Sequence, residues 1–179
     1  MSRIYLVPIH LNDPAWLGRL KACIEKTFGI RAKCCTFPID LPVAFDPARK
    51  QYSSSLILQQ LIASAPGDAC KILGITDVDL FIPILTYVFG EAQLDGIGAV
   101  VSLHRLKNQF YGLPEDNELM VERLLKEAVH ELGHTFGLFH CAWFGCALNA
   151  STYVEDIDQK SCELCPDCRD AIGLASAGP

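Results

Sequence analysis

Three histidines and a glutamate are concentrated in the segment AVHELGHTFGLFHCAWFGCALN, residues 128–149. His130 and His134 are four residues apart, Glu131 follows the first of them, and His140 lies six residues beyond the second. Residues at positions i and i+4 of a helix lie one above the other, so both imidazoles can face one ion. The spacing therefore predicts a metal site on one side of a helix.

The position of His140 indicates where that helix must end. In a continued helix, His140 would lie about 15 Å along the axis from His130, too far to share an ion. Gly137 is the residue type that best tolerates a left-handed helix end, and it lets the chain return with His140 as a third ligand. Gly133 costs the helix roughly 1 kcal/mol relative to alanine, which indicates that a neighbouring side chain packs against its bare backbone.

Three neutral imidazoles leave the fourth position of a zinc ion open for water, which is typical of a catalytic zinc. Glu131 follows His130 directly, where its carboxylate can accept a proton from that water as a general base. The pattern HExxHxxGxxH therefore predicts a hydrolytic zinc site. Its ligands are His130, His134 and His140, and its catalytic residue is Glu131.

Nine cysteines are many for an intracellular chain of 179 residues, and more than half lie near its end. These are Cys141, Cys146, Cys162, Cys165 and Cys168. In a reducing compartment such crowding indicates metal binding more than disulfides, which are the competing interpretation. A tetrahedral zinc accepts only four thiolates, and two CxxC pairs overlap at Cys165, so either Cys162 or Cys168 is spare.

These motifs resemble the archaemetzincin family of the metzincin clan of zinc peptidases. In that family HExxHxxGxxHC is followed by four residues, Cys, one residue, Met, and later CxxC; His140-Cys141 and Cys146 fit the pattern. The resemblance implies that Cys141, Cys146, Cys165 and Cys168 bind a second, structural zinc that staples the tail beneath the catalytic loop. It thus implies two zinc ions, one catalytic and one structural.

One position departs from the family. The clan has a methionine two residues after Cys146, which forms an apolar floor under the metal, and this chain has Leu148. Exchanges between leucine and methionine usually cost less than about 1.5 kcal/mol, so we expect the site to survive. Tyr153 is a candidate for polarising a substrate carbonyl, although a packing role is expected. His10 and His104 have no comparable neighbours and are expected to be surface or strand-end residues.

The elements that must position these residues alternate between strand and helix. Strand patterns occupy 3–9, 30–39 and 70–80, helix patterns occupy 13–29, 53–64 and 117–137, and two short strands with a glycine-rich turn lie within 87–106. Asp13 is expected to cap the first helix, with Pro14 at its first position and Gly29 at its end. The alternation predicts an α/β sheet with an antiparallel edge strand.

The resemblance implies a metzincin-like twisted mixed sheet with a backing helix, an active-site helix and a small irregular C-terminal part stapled by zinc. It also implies that GIGAVVSL, residues 96–103, is the antiparallel edge strand along the cleft, on which an extended peptide can lie. We expect one catalytic domain over residues 1–179. Its upper part is 1–137 and its small C-terminal part, with the cysteine cluster, is 138–179.

The net charge of −6 gives no sign of a nucleic-acid surface or a basic membrane face. The apolar run at the start is too short for a signal peptide or a spanning helix. We therefore expect a cytoplasmic protein with a peptide or protein substrate and no nucleic-acid or membrane partner. The leading hypothesis is a zinc-dependent peptidase that uses metal-activated water with Glu131 as general base. The alternative is a non-catalytic two-zinc binding or regulatory protein that retains the fold.

Overall fold

The computed structural model describes residues 2–11 and 14–174. The strands, in chain order, are β1 (Arg3–Pro8), β2 (Ala32–Cys34), β3 (Phe45–Asp46), β4 (Gln51–Ser53), β5 (Ala69–Thr76), β6 (Leu80–Phe81), β7 (Gly90–Ala92) and β8 (Gly98–Ser102). The α-helices are α1 (Leu17–Phe28), α2 (Leu41–Ala44), α3 (Ser54–Ala63), α4 (Asn117–Thr135), α5 (Val154–Gln159) and α6 (Pro166–Ala171). Turns of 3-10 helix lie at His104–Leu106 and Asn108–Tyr111. None of the described helices is long and apolar enough to cross a membrane.

The main sheet has the strand order β2-β1-β5-β8-β7. β1 pairs in parallel with β2 and β5, and β5 pairs in parallel with β8. β7 runs antiparallel to β8 at the edge of this sheet. A smaller sheet, which the sequence patterns did not predict, has the order β3-β4-β6. The predicted mixed α/β sheet with an antiparallel edge strand is therefore confirmed.

Successive residues of the main strands face opposite sides of the sheet, and each side has its own buried core. Ile4, Leu6, Leu73, Ile75, Ala99 and Val101 share one core with α1 and α4. Tyr5, Val7, Ile72 and Val100 share the other with α3. Leu124, Ala128 and Leu132 of α4 are fully buried in the first core. The helix that carries His130 and His134 is thus fixed against the sheet.

The edge strand is not the segment that the resemblance implied. β8 lies within residues 96–103 and is flanked by β5 on one side and β7 on the other, so the edge of the sheet is β7. All residues of β8 are buried, because helices cover both faces of the sheet there. A continuous apolar run is typical of such an interior strand, and the assignment of residues 96–103 to the edge was wrong.

The end of α1 and the start of α3 follow local sequence signals, whereas the start of α1 does not. Gly29 adopts a left-handed conformation with φ 65°, and its N–H donates to the carbonyl of Glu25, as predicted. Ser53 caps α3 by accepting from Leu56 N–H. α1 begins only at Leu17, so Pro14 precedes the helix rather than opening it, and the predicted cap Asp13 lies outside the described residues.

Candidate active site and metal centres

The three histidines of the HExxHxxGxxH motif converge. α4 ends at Thr135, and Gly137 follows with φ 87°. This turn brings the ring of His140 to 5.2 Å from that of His130 and 5.0 Å from that of His134, measured between centroids. One nitrogen of each ring lies within 4.8 Å of those of the other two. The structure therefore shows the return of the chain that the glycine made possible.

Backbone carbonyls orient the two helical imidazoles. His130 Nδ1 lies 2.8 Å from the carbonyl of Ala147, and His134 Nδ1 lies 2.7 Å from the carbonyl of Leu138. A carbonyl only accepts, so each Nδ1 carries the proton and each Nε2 keeps a free lone pair. Burial lowers the pKa of both rings, that of His130 to well below its ordinary value. Both histidines are therefore neutral, and each offers its Nε2 lone pair to a metal ion.

The spacing of these donors fits one zinc ion. The Nε2 atoms of His130 and His134 are 3.1 Å apart. Two nitrogens of a tetrahedral zinc with bonds of 2.0–2.1 Å are separated by about 3.3 Å. Two rings with backbone-bonded Nδ1 atoms and facing Nε2 atoms have the arrangement in which histidine binds metal. His140 is exposed, so the third donor lies on the solvent side of this group.

Glu131 lies between the histidines and the edge strand. It is 6% exposed, and burial raises the pKa of its carboxyl well above the ordinary value, with a further contribution from the nearby Glu127. A Cβ atom built on Gly90 of β7 would lie 2.6 Å from both Cγ and Oε1 of Glu131. Only glycine at position 90 leaves room for this carboxylate, and no pattern in the sequence predicted this requirement.

A cleft of about 610 Å³ opens beside the histidines and Glu131. One wall is formed by 85–90, at and before β7, and the other by 151–153, before α5. The hydroxyl of Tyr87 donates to the carbonyl of Thr152 at 2.8 Å and joins the two walls. Tyr153, the candidate for polarising a substrate carbonyl, lies in the cleft lining with 63% of its surface exposed.

Leu148 occupies the floor position where the clan has methionine. Its side chain is fully buried. A Cβ atom built on Gly133 would lie 2.9 Å from Leu148 Cδ2, so the bare backbone of α4 is what admits this side chain. The predicted close packing against Gly133 is confirmed, and its partner is the floor residue.

Four of the five clustered cysteines form a second group of donors. The Sγ atoms of Cys141, Cys146, Cys165 and Cys168 all lie within 4.8 Å of one another. Cys141 and Cys165 Sγ are 3.8 Å apart, and Cys146 and Cys168 Sγ are 3.9 Å apart. Thiolates of a tetrahedral zinc with bonds of 2.3 Å are separated by about 3.8 Å, whereas a disulfide bond measures about 2.05 Å. The four thiols fit a closed zinc site.

Cys162 lies outside this group. Its thiol contacts that of Cys23 on α1, and this hydrogen bond lowers the pKa of Cys162 to about 6. Beside this contact, Lys26 and Glu163 form an ion pair of 2.9 Å. Of the two assignments that the overlapping CxxC pairs left open, the structure brings Cys168 and not Cys162 to the other three thiols.

Two site residues were missed by the sequence reasoning. Lys160, directly after α5, and Glu127, one turn before Glu131 on α4, form a buried ion pair of 2.7 Å. Lysine is by default an exposed residue, so nothing in the sequence marked Lys160. The spacing of Glu127 and Glu131 at i and i+4 was a signal that could have been used.

The remaining histidines lie apart from both donor groups. His10 Nε2 lies 3.1 Å from the carbonyl of Ile39, and His104 Nδ1 lies 3.3 Å from that of Asp77. Neither belongs to a group of possible metal ligands among the described residues.

Comparisons with known proteins agree with this geometry. The family model of peptidase family M54 matches residues 49–173. The archaemetzincin of Methanocaldococcus jannaschii is 39% identical over 94% of this chain and 91% of its own length. The crystal structure of the archaemetzincin of Methanopyrus kandleri superposes with a TM-score of 0.83 at 33% identity, covering 96% of this chain and 93% of that one. A zinc-dependent peptidase of Methanocorpusculum labreanum superposes with a TM-score of 0.84 at 29% identity, covering 95% of this chain and 100% of that one.

These matches extend well beyond the histidine and cysteine motifs and include nearly the whole fold. The chain therefore belongs to peptidase family M54, the archaemetzincins, and is a zinc metallopeptidase.

Proposed function

We propose that the chain hydrolyses peptide bonds with one zinc held by His130, His134 and His140, and with Glu131 as general base. The observation that carries the proposal is the convergence of three imidazole nitrogens at a cleft whose wall holds the Glu131 carboxylate. When bound, zinc supplies Lewis-acid polarisation of a water and of the scissile carbonyl. The substrate class, peptides or proteins, follows from membership of the family.

The chain's own residues do the rest of the chemistry. Ala147 and Leu138 fix the tautomers of His130 and His134, so that both Nε2 atoms point to one place. Glu131 accepts a proton from the attacking water and returns it to the leaving amine. Burial raises the pKa of its carboxyl. A carboxylate with a raised pKa accepts a proton more readily, which suits a general base.

The edge strand β7 is the proposed support for the substrate. Gly90 lies both in β7 and in the lining of the cleft, and β7 has a partner strand on one side in the main sheet. An extended peptide can add to such an edge through main-chain hydrogen bonds. The scissile bond would then lie beside Gly90, next to the three histidines in the same cleft.

Cys141, Cys146, Cys165 and Cys168 are proposed to hold a second zinc with a structural role. Four thiolates leave no open coordination position for a substrate or water. Three of the four side chains are buried, and the group brings Cys141 and Cys146 together with Cys165 and Cys168 at the start of α6. A zinc there would fix the segment from 141 to 168, which contains the cleft-lining residues 151–153, and would contribute folding free energy.

The division into an upper part at 1–137 and a small part at 138–179 is proposed on the same grounds, since the main sheet lies in the first and the thiol group in the second. The described cysteines are free thiols, which favours the reducing cytoplasm. The net charge of −6 favours a protein rather than a nucleic-acid substrate.

The test is a cleavage screen of the zinc-loaded protein against a peptide library, read by mass spectrometry, with the Glu131→Gln variant as matched control. We expect cleavage products from the parent and none from the variant. Cleavage by both proteins at equal rates would contradict the role of Glu131. Products from neither, in protein whose zinc content is verified, would favour the non-catalytic two-zinc alternative.

A further inference from the structure

The Lys160 side chain is among the most deeply buried charged groups of the described residues, with 1% of its surface exposed. Its Nζ atom lies 2.7 Å from Glu127 Oε1 and 3.1 Å from the carbonyl of Asn149. It also lies 3.3 Å from His130 Nδ1. Burying a lysine costs free energy unless its ammonium group has polar partners. The three neighbours therefore indicate that Lys160 has a defined role in this place.

A three-residue segment, Ala147–Asn149, connects the group of three histidines to the group of four cysteines. The Ala147 carbonyl accepts from His130 Nδ1, and the Leu148 side chain packs on α4 at Gly133. On the other side, the Leu148 carbonyl accepts from Cys141 N–H at 2.9 Å, and Asn149 Nδ2 donates to the Cys141 carbonyl at 2.9 Å. The segment therefore contacts His130 through Ala147. It contacts Cys141, the neighbour of His140, through Leu148 and Asn149.

Lys160 links this segment to the active-site helix. Its ammonium donates to the carbonyl of Asn149 at one end of the segment and forms an ion pair with Glu127 on α4, one turn before Glu131. His130 Nδ1 already donates to Ala147, so the contact between Nζ and Nδ1 places a positive charge beside the imidazole rather than a hydrogen bond. Without Lys160, the carbonyl of Asn149 would lose its donor and Glu127 would be left as an unpaired buried carboxylate.

Docking of α5 on α4 does not by itself explain this arrangement. Arg123 of α4 and Asp158 of α5 already join the two helices through two hydrogen bonds of 2.7 Å. Arg123 also donates to the carbonyl of Leu106 and does not belong to either donor group. Lys126 of α4 adds a bond to the carbonyl of Asp158. Lys160, directly after α5, is thus a further link to α4, and it differs from these in touching a histidine of the catalytic motif.

We propose that Lys160 is a positioning residue of the catalytic centre, which acts by holding His130 and the Ala147–Asn149 segment in the geometry that receives the metal. The inference rests on the proposed function of the three histidines. It predicts that loss of Lys160 weakens zinc binding at the histidine site and lowers activity, each by about 10- to 100-fold, which is the usual effect of removing a group that orients a metal ligand.

The experiment compares Lys160→Met with Arg123→Met, which removes the other ion pair between the same helices. Because Lys160→Met leaves Glu127 unpaired and can fail to fold, the double variant Glu127→Gln/Lys160→Met is included. Each zinc-loaded protein is labelled with ¹⁵N-histidine, and its Nδ1–H resonances are recorded together with zinc dissociation constants measured by chelator competition. The resonance of His134, whose Nδ1–H donates to Leu138, serves as an internal reference.

We expect the Nδ1–H resonance of His130 to move in Lys160→Met and in the double variant while that of His134 stays in place, and zinc affinity to fall in both. Arg123→Met should lower the melting temperature and leave both resonances and zinc affinity as in the parent. An unmoved His130 resonance with parent-like zinc affinity in the folded double variant would overturn the proposal. These readouts do not depend on turnover, so a parent that cleaves no peptide would count against the proposed function and leave the test of Lys160 intact.

Discussion

His140 and Cys141 are joined by one peptide bond, yet their side chains belong to different donor groups, His140 to the three histidines and Cys141 to the four thiols. Adjacent side chains of an extended segment point in opposite directions, which makes two separate sites sterically possible. The backbone of Cys141 is bonded on both sides, its N–H to Leu148 and its carbonyl to Asn149. These backbone bonds restrict where the neighbouring His140 can lie.

This coupling predicts the effect of removing one thiol. Cys146→Ser should release one zinc per chain, lower the melting temperature and reduce activity indirectly, because the segment that carries His140 loses its anchor. Metal analysis and calorimetry on reduced protein measure the first two effects. Cys34→Ser, at an exposed thiol outside the group, is the control and should keep both zinc ions. An unchanged zinc content in Cys146→Ser would refute the second site.

The contact between Gly133 and Leu148 predicts opposite effects of two glycine substitutions in helices. Gly133→Ala should destabilise the protein, by about 1 kcal/mol or more, because overpacking against the fully buried Leu148 costs about 1–3 kcal/mol and exceeds the gain in helix propensity. Gly18→Ala, in α1, meets no atom within 4 Å and should stabilise by up to about 1 kcal/mol. Urea denaturation measures the free energy of unfolding of both variants. Equal stabilisation by the two substitutions would show that the surroundings of Leu148 are loosely packed.

Gly90→Ala tests the wall that holds the general base. The new methyl group would overlap Glu131 Cγ and Oε1 and also the carbonyl of Val100, which lies 2.6 Å from the Cβ position. We expect kcat to fall by at least about 10-fold with zinc content unchanged, since a misplaced general base costs rate rather than metal binding. Gly67→Ala, at an exposed turn with nothing within 4 Å, should behave as the parent. Parent-like turnover in Gly90→Ala would mean that Glu131 tolerates displacement.

The partly buried carboxylate of Asp79, paired with Arg105, predicts how the stability of the protein depends on pH. Burial alone would raise the pKa of its carboxyl, but hydrogen bonds from Arg105 and Gln51 outweigh burial and hold the pKa below the ordinary value. The folded pKa is thus lower than the unfolded one, so the stability that Asp79 contributes is present above the unfolded value and is lost as pH falls through the folded value. Asp79→Asn should cost about 2 kcal/mol at pH 7.

This deficit should shrink as the pH is lowered below about 4, because the Asp79 carboxyl of the unfolded parent becomes protonated there, and that of the folded parent only at still lower pH. Denaturant titrations of parent and variant between pH 3 and pH 7 measure the difference. Glu118→Gln, in the exposed pair with Arg19, is the control and should cost little at either pH. A deficit of constant size across this range would contradict the assigned role of the Asp79 charge.

The sequence was informative where structure is local. The i, i+4 spacing of His130 and His134, the stop at Gly137 and the close contact at Gly133 each depend on the geometry of a single helix and its end, and the structure shows all three. The cysteine spacing left two possible sets of four thiols, one with Cys162 and the other with Cys168. The alternation of strand and helix patterns predicted the α/β sheet, and the family resemblance supplied its metzincin-like arrangement and the choice of Cys168.

Tertiary arrangement is what the sequence could not provide. Strand order is set by packing across the whole sheet, and the apolar pattern of β8 did not reveal that it is an interior strand. Two short strands were predicted within 87–106, but the edge position was given to the second of them instead of to β7. Lys160 becomes a buried partner of Glu127 only because α5, an unpredicted helix of six residues, turns it inward. The need for glycine at position 90 depends on where Glu131 of another element lies.

Glu131→Gln separates the proposed role of Glu131 as general base from metal binding. The substitution keeps the size of the side chain and removes its basicity, so zinc at the histidine site should be retained. We expect kcat/KM on a peptide cleaved by the parent to fall by at least about 100-fold, with the zinc content of parent and variant equal in the same samples. Cleavage by Glu131→Gln at the parent's rate, with both proteins carrying the same zinc, would contradict the account.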